Sequence, residues 1–155
     1  MKRNPKRLKR ILKVRQLQEE AARAAWIQAQ VVAREADALV EKGHHNIVLG
    51  QDFIRGQQAS GSISGVLNSD AAMKHLHTAL AHNDFHAAAR HRDVDAAKAP
   101  WLETRKAACG MEKLVERAQE EHRIELRLKE DQALESSLEA LLTRQTTNNQ
   151  TSQSA

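Results

Sequence analysis

The chain has 155 residues, a formal net charge of +4 and a hydrophobic fraction of 41%, but only 3% aromatics and no tyrosine. Its length suits one structural unit, yet the large side chains that fill a globular core are scarce. The single cysteine, Cys109, rules out an internal disulfide, and no apolar run approaches the roughly 18 residues needed to span a bilayer.

The chain opens on a strongly basic stretch, with eight Lys or Arg and no acid between Met1 and Gln18. Leu8, Ile11, Leu12 and Val14 are separated by Lys and Arg, so the stretch lacks the apolar run of a secretory signal. It also lacks serine, and its apolar stripe continues into the next segment, which argues against an organelle presequence. Read alone, Lys2 to Arg15 is a candidate contact for nucleic acid or an anionic membrane. No aromatic interleaves with it before Trp26, and acids later in the chain can neutralise it, so this contact is a secondary reading of the stretch.

A first helical arm is expected over 5–58, entered at Asn4-Pro5, because proline suits the first helical turn. Its seam reads Leu8, Ile11, Arg15, Gln18, Ala22, Ala25, Ala29, Val32, Ala36, Val40, Gly43, Ile47, Gly50 and Ile54. The two successive four-residue steps from Val32 to Ala36 to Val40 predict a stutter that locally unwinds the supercoil. A turn is expected over 59–68, where Gly and Ser cluster, with Ser69 or Asp70 capping the next helix.

The second arm is expected over 69–143. Its seam, Met73, Leu76, Leu80, Asn83, Ala87, Arg90, Val94, Ala97, Trp101, Thr104, Ala108, Met111, Val115 and Ala118, is apolar at eleven of fourteen positions. A period of 3.5 seeks a partner helix. Folding back at the turn pairs seam positions whose numbers sum to about 126, which makes an antiparallel coiled-coil hairpin. That register sets Val32 against Val94, Ala29 against Ala97, Ile47 against Leu80, Gly50 against Leu76, Ile54 against Met73 and Ile11 against Val115. It puts Trp101 opposite Ala25, a large side chain against a small one. It sets Arg15 and Gln18 opposite Met111 and Ala108, and brings Lys6, Arg7, Lys9 and Arg10 near Glu116, Glu120 and Glu121.

The fold class expected is therefore all-α, two long helices with the second longer. With Pro5 level with Glu121, residues 122–143 project unpaired for about 33 Å at 1.5 Å per residue. Lone helices are marginal in water, so the projection calls for a partner. It mixes charges with an apolar edge of Ile124, Leu128, Leu134, Leu138 and Leu141. Residues 145–155, polar up to Ala155, are expected to be a disordered tail beyond a hairpin spanning 1–144.

At Val94-Asp95-Ala96-Ala97-Lys98-Ala99-Pro100-Trp101, then Glu112-Lys113-Leu114-Val115-Glu116-Arg117 and Glu121-His122-Arg123-Ile124-Glu125, the chain resembles the FliJ family of flagellar type III export stalk proteins. The resemblance covers most of residues 8–140. It implies a non-enzymatic, cytoplasmic component, peripherally associated with the inner membrane at the export apparatus. Such a protein couples the export ATPase hexamer to the cytoplasmic domain of the export gate and escorts substrate chaperones. The implied ATPase contacts are Arg117, Glu121, Arg123, Ile124, Glu125, Arg127, Leu128 and Glu130. The implied gate contacts are Leu76, Ala79 and Asn83; the aromatic residues usual in that neighbourhood are absent, and His45 and Leu49 stand on the first arm instead.

Other residues suggest chemistry that their surroundings do not support. Eight histidines include His82 and His86 at i,i+4, with His44 opposite in the same register, a set that could converge on a transition metal. No carboxylate or thiol pattern completes a recognised site, so no metal or cofactor is expected. The clustered imidazoles would also respond to pH. Cys109 is three to four turns from His122, too far for that base to activate it. Pro100 predicts a kink in the second arm. With no glycine-rich phosphate loop and no small-molecule cleft, an enzyme is not expected. The competing reading is a basic-ended coiled-coil adaptor that binds nucleic acid or another helical partner.

Overall fold

The computed structural model describes residues 4–153, with side chains as far as residue 146. It holds two helices, α1 (Pro5–Ala59) and α2 (Ile63–Gln153), with α2 the longer at 91 residues against 55. Among the described residues there is no strand. Where one continuous hairpin was expected, tertiary contacts gather the chain into two units, Gln16–Lys106 and Met1–Arg15 with Ala107–Ala155.

Local chemistry sets the ends of the helices. Asn4 caps α1, its Oδ1 accepting the Lys6 N–H at 3.0 Å, with Pro5 at the first helical position, where no donor is needed. At the other end Gly61 adopts φ +72°, and the Ser62 and Gly61 amides donate to the carbonyls of Gln57 and Gln58. That is a Schellman closure, which favours glycine because a Cβ is strained in this backbone region. Ser62 then caps α2, its Oγ accepting the Gly65 N–H at 3.1 Å. The turn is thus Ser60, Gly61 and Ser62 rather than 59–68, and α2 begins at Ile63 rather than 69. Ser69 is not a cap: it is buried within α2, and its Oγ donates to the Gly65 carbonyl at 2.6 Å.

In the unit Gln16–Lys106 the two helices run antiparallel from this turn. Ile47, Met73 and Leu80 form the buried centre near the turn, with Val40, Ile54 and Leu76 packed against it. Gly43 and Gly50 lie under Leu80 and Met73 respectively, so small residues on α1 receive large ones from α2. Further from the turn the buried residues are Ala33 and Ala87, whose small side chains allow close approach of the backbones.

The α2 seam is as expected except at Arg90, which is exposed and paired to Asp93 on its own helix; the seam's buried and half-buried positions include Met73, Leu76, Leu80, Asn83, Ala87, Val94, Ala97, Trp101 and Thr104. Half-buried Thr104 satisfies its hydroxyl on its own helix, at the carbonyls of Pro100 and Trp101. The α1 seam differs. Its covered positions run through Ala22, Trp26, Ala29, Ala33, Ala36 and Val40, in unbroken 3-4 alternation, so the stutter is absent. Ala33 rather than Val32 is buried, and Trp26 rather than Ala25 turns inward. The expected pairing of Trp101 with Ala25 gives way to a stack of Trp101 on Trp26, ring centroids 4.6 Å apart and planes at 10°. Arg105 lies over the Trp101 ring at 5.4 Å. Both indole N–H groups are buried without a hydrogen-bond partner. Across the helices, His91 Nε2 meets both Asp37 carboxylate oxygens, at 2.8 and 3.0 Å. α2 passes Pro100 unbroken.

In the other unit, Ala108, Val115 and Ala118 are buried on α2, while Pro5, Leu8 and Leu12 are half-buried on α1. Leu12 takes the place expected for Ile11, which is 36% exposed. No ion pair joins Lys6, Arg7, Lys9 or Arg10 to Glu116, Glu120 or Glu121; Glu120 is held by Arg123 on its own helix at 3.0 Å. Exposed long side chains gain too little from pairing to hold one geometry. The expected disordered tail is helical in α2 as far as Gln153, and residues 154 and 155 lie outside the described residues.

Candidate functional site

The candidate ATPase contacts all lie on α2 in the unit Met1–Arg15 with Ala107–Ala155. Pro5 and Lys6 line a cleft of about 600 Å³ with Ala118, Glu121, His122 and Glu125, so α1 starts level with Glu121, as expected. From residue 126 to 146 every side chain of α2 is exposed. Helical spacing sorts the candidates into two stripes. Arg117, Glu121, Ile124 and Leu128 follow one another at steps of four, three and four. Arg123, Arg127 and Glu130 form the second stripe. Glu125 is half-buried and paired to Lys129 at 3.2 Å.

Beyond residue 118 the positions that continue the α1-facing seam are His122, Glu125, Lys129, Gln132, Ser136, Glu139 and Thr143, none of them apolar. The large aliphatic side chains move to another face. Leu134 and Leu141 stand on the side turned away from that seam, Ile124 and Leu138 lie beside them, and Leu128 and Leu142 form the edge nearest the seam. Ile124 is 49% and Leu128 56% exposed. The segment therefore offers a partner an aliphatic stripe bordered by charges of both signs.

The candidate gate contacts lie in the unit Gln16–Lys106 and are not equivalent. Leu76 packs on the Ile47, Met73 and Leu80 cluster, Asn83 is half-buried in the seam, and Ala79 is exposed. Leu76 also borders a groove of about 370 Å³ with Phe53, Gln57, Gly65, Asn68 and Met73. Beside the turn, Phe53, Ile63 and Leu67 are exposed. The turn expected over 59–68 leaves no place for Ile63 and Leu67 on a helix, whereas their i,i+4 spacing behind Ser62 fits one.

The histidines do not assemble as a metal centre. His82 and His86 meet edge to face at 4.3 Å, but no set of three or more His, Cys, Asp or Glu is grouped to hold a metal ion among the described residues. Cys109 is a free, exposed thiol. No helix, among the described residues, is long and apolar enough to cross a membrane.

A family model described as flagellar FliJ protein matches residues 5–146. No curated protein and no solved structure gives a match.

Proposed function

Because the chain belongs to the FliJ family, a group of non-catalytic flagellar export components, we propose that it acts as a central stalk coupling a hexameric export ATPase to the export gate. The ATPase ring grips α2 through Arg117, Glu121, Arg123, Ile124, Glu125, Arg127, Leu128 and Glu130. The observation that carries this reading is the α2 segment beyond Glu121, whose aliphatic stripe has no partner among the described residues. A lone helix of this kind is marginal in water and gains stability when held. Its faces differ, one aliphatic and one wholly polar, so the subunits of a surrounding ring meet unequal surfaces. A ring that binds some of its conformations better on one face than another shifts its own populations.

Leu76, Ala79 and Asn83 are the proposed gate-facing set, with Ala79 the most accessible and Leu76 reached at the edge of the groove beside Phe53. Substrate chaperones are further proposed partners. The proposed location is the cytoplasm, at the inner membrane beneath the export apparatus.

Deleting residues 122–143 is expected to abolish co-purification with the hexameric export ATPase while leaving circular dichroism strongly helical. Ile124→Asp combined with Leu128→Asp should weaken it without loss of helix, because both side chains are exposed. Retention of the ATPase by the deleted chain would reject the stalk assignment.

A further inference from the structure

The first turns of α1, level with Glu121, carry an outward surface that is open to solvent in the chain when no ring encloses it. Pro5, Leu8 and Leu12 are the half-buried positions, so they mark the side of α1 turned toward α2. Arg7, Arg10, Ile11 and Val14 recur at i, i+3, i+4 and i+7, which stacks them on the opposite side. Lys6 and Lys13 flank that stripe. None of Lys6, Arg7, Lys9, Arg10 and Lys13 is held in an ion pair, and no acid occurs in α1 before Glu19. The acids nearest in this unit belong to α2. Lys6 borders a cleft with Glu121 and Glu125, and Glu120 is taken by Arg123. Between the outward cations stand two aliphatic side chains in water, Val14 53% and Ile11 36% exposed.

From this juxtaposition we propose that the outward face of α1 over residues 6–14 docks onto an anionic phospholipid bilayer. Cations supply the attraction, because a basic side chain near a negatively charged leaflet gains energy that screening by salt removes. Ile11 and Val14 enter the headgroup boundary, as the apolar residues of interfacial helices do. They also decide between bilayer and nucleic acid. A phosphate backbone rewards the cations but offers the aliphatic side chains nothing, and there is no aromatic on this face to stack on a base.

Co-sedimentation of the full chain with phosphatidylcholine vesicles, with and without phosphatidylglycerol, tests the proposal. Binding is expected only where phosphatidylglycerol is present and should fall steeply with added salt. Arg7→Gln and Arg10→Gln should each weaken it about five-fold. Arg92→Gln, which removes an exposed charge from a different part of the chain, should leave it unchanged. Val14→Ser should weaken vesicle binding and leave any binding of duplex DNA unaltered. Equal binding to both vesicle types, no binding to either, or an Arg7→Gln/Arg10→Gln chain that binds like the parent would overturn it. Duplex DNA that displaces the protein from anionic vesicles, with Val14→Ser inert toward them, would reassign the face to nucleic acid. All these side chains are exposed, so circular dichroism should report unchanged helix in each variant.

Discussion

Two stretches of the same helix pair solve one spacing problem in opposite ways. Near the turn, Gly43 and Gly50 leave room into which Leu80 and Met73 descend, and the contact is small against large. Farther along, Trp26 and Trp101 meet face to face, large against large, at 4.6 Å. The first arrangement buries aliphatic surface and leaves no polar group short of a partner. The second brings two large rings into contact and strands two indole N–H groups. Burial of an unpaired donor costs about 1–3 kcal/mol, so the stack returns less than its area suggests. An alanine-rich coil thus takes its specificity from a few uneven positions.

The largest effect should come from the aliphatic centre. Leu80→Ala is expected to lose about 3 kcal/mol in urea unfolding, because α1 presents glycine there and cannot refill the space. Trp101→Ala should cost less, about 2 kcal/mol, since the ring is only half-buried and its N–H has no partner. Trp101→Phe sharpens the comparison: it keeps a ring and removes the stranded donor, so its cost should stay under about 1 kcal/mol. A loss as large as that of Trp101→Ala would mean that the indole N–H is satisfied in solution. Next come the glycines. Gly56→Ala meets nothing within 4 Å and should gain about 0.5–1 kcal/mol from helix propensity. Gly43→Ala should fall short of that gain, as its new methyl would sit 3.0 Å from Leu80 Cδ1, and Gly61→Ala should lose about 1 kcal/mol at φ +72°. The smallest term is the Asp37–His91 pair, with side chains 45% and 56% exposed. A double-mutant cycle should give under about 1 kcal/mol, smaller still in high salt.

How far the sequence alone could be read depends on the arm. On α2 the large apolar residues Met73, Leu76, Leu80, Val94, Trp101, Met111 and Val115 fall on one 3-4 stripe, and every buried position from Met73 to Ala118 falls on it. On α1 the doublets Ile11-Leu12, Ala25-Trp26 and Val32-Ala33 offer two apolar residues side by side, and a single stripe cannot rank them. The partner helix decides, taking the second of each pair; the apparent stutter came from choosing the first. The turn was misplaced for a different reason. Ser62, Ser69 and Asp70 are all competent caps, and only the positive φ of Gly61 fixes which one is used. At the candidate site, the stripe of Arg117, Glu121, Ile124 and Leu128 was legible as spacing. The mixed surroundings of Leu76, Ala79 and Asn83 were not, because spacing says nothing of which seam residues keep an open edge.

The tryptophan stack has a practical consequence. The chain has two tryptophans and no tyrosine, and those two rings lie almost parallel, one on each helix. Indoles fixed in this asymmetric contact should give near-ultraviolet circular dichroism bands stronger than those of freely rotating tryptophan. Parting of the helices at that level would weaken those bands without any change in helix content, which lets an unlabelled sample report its own opening.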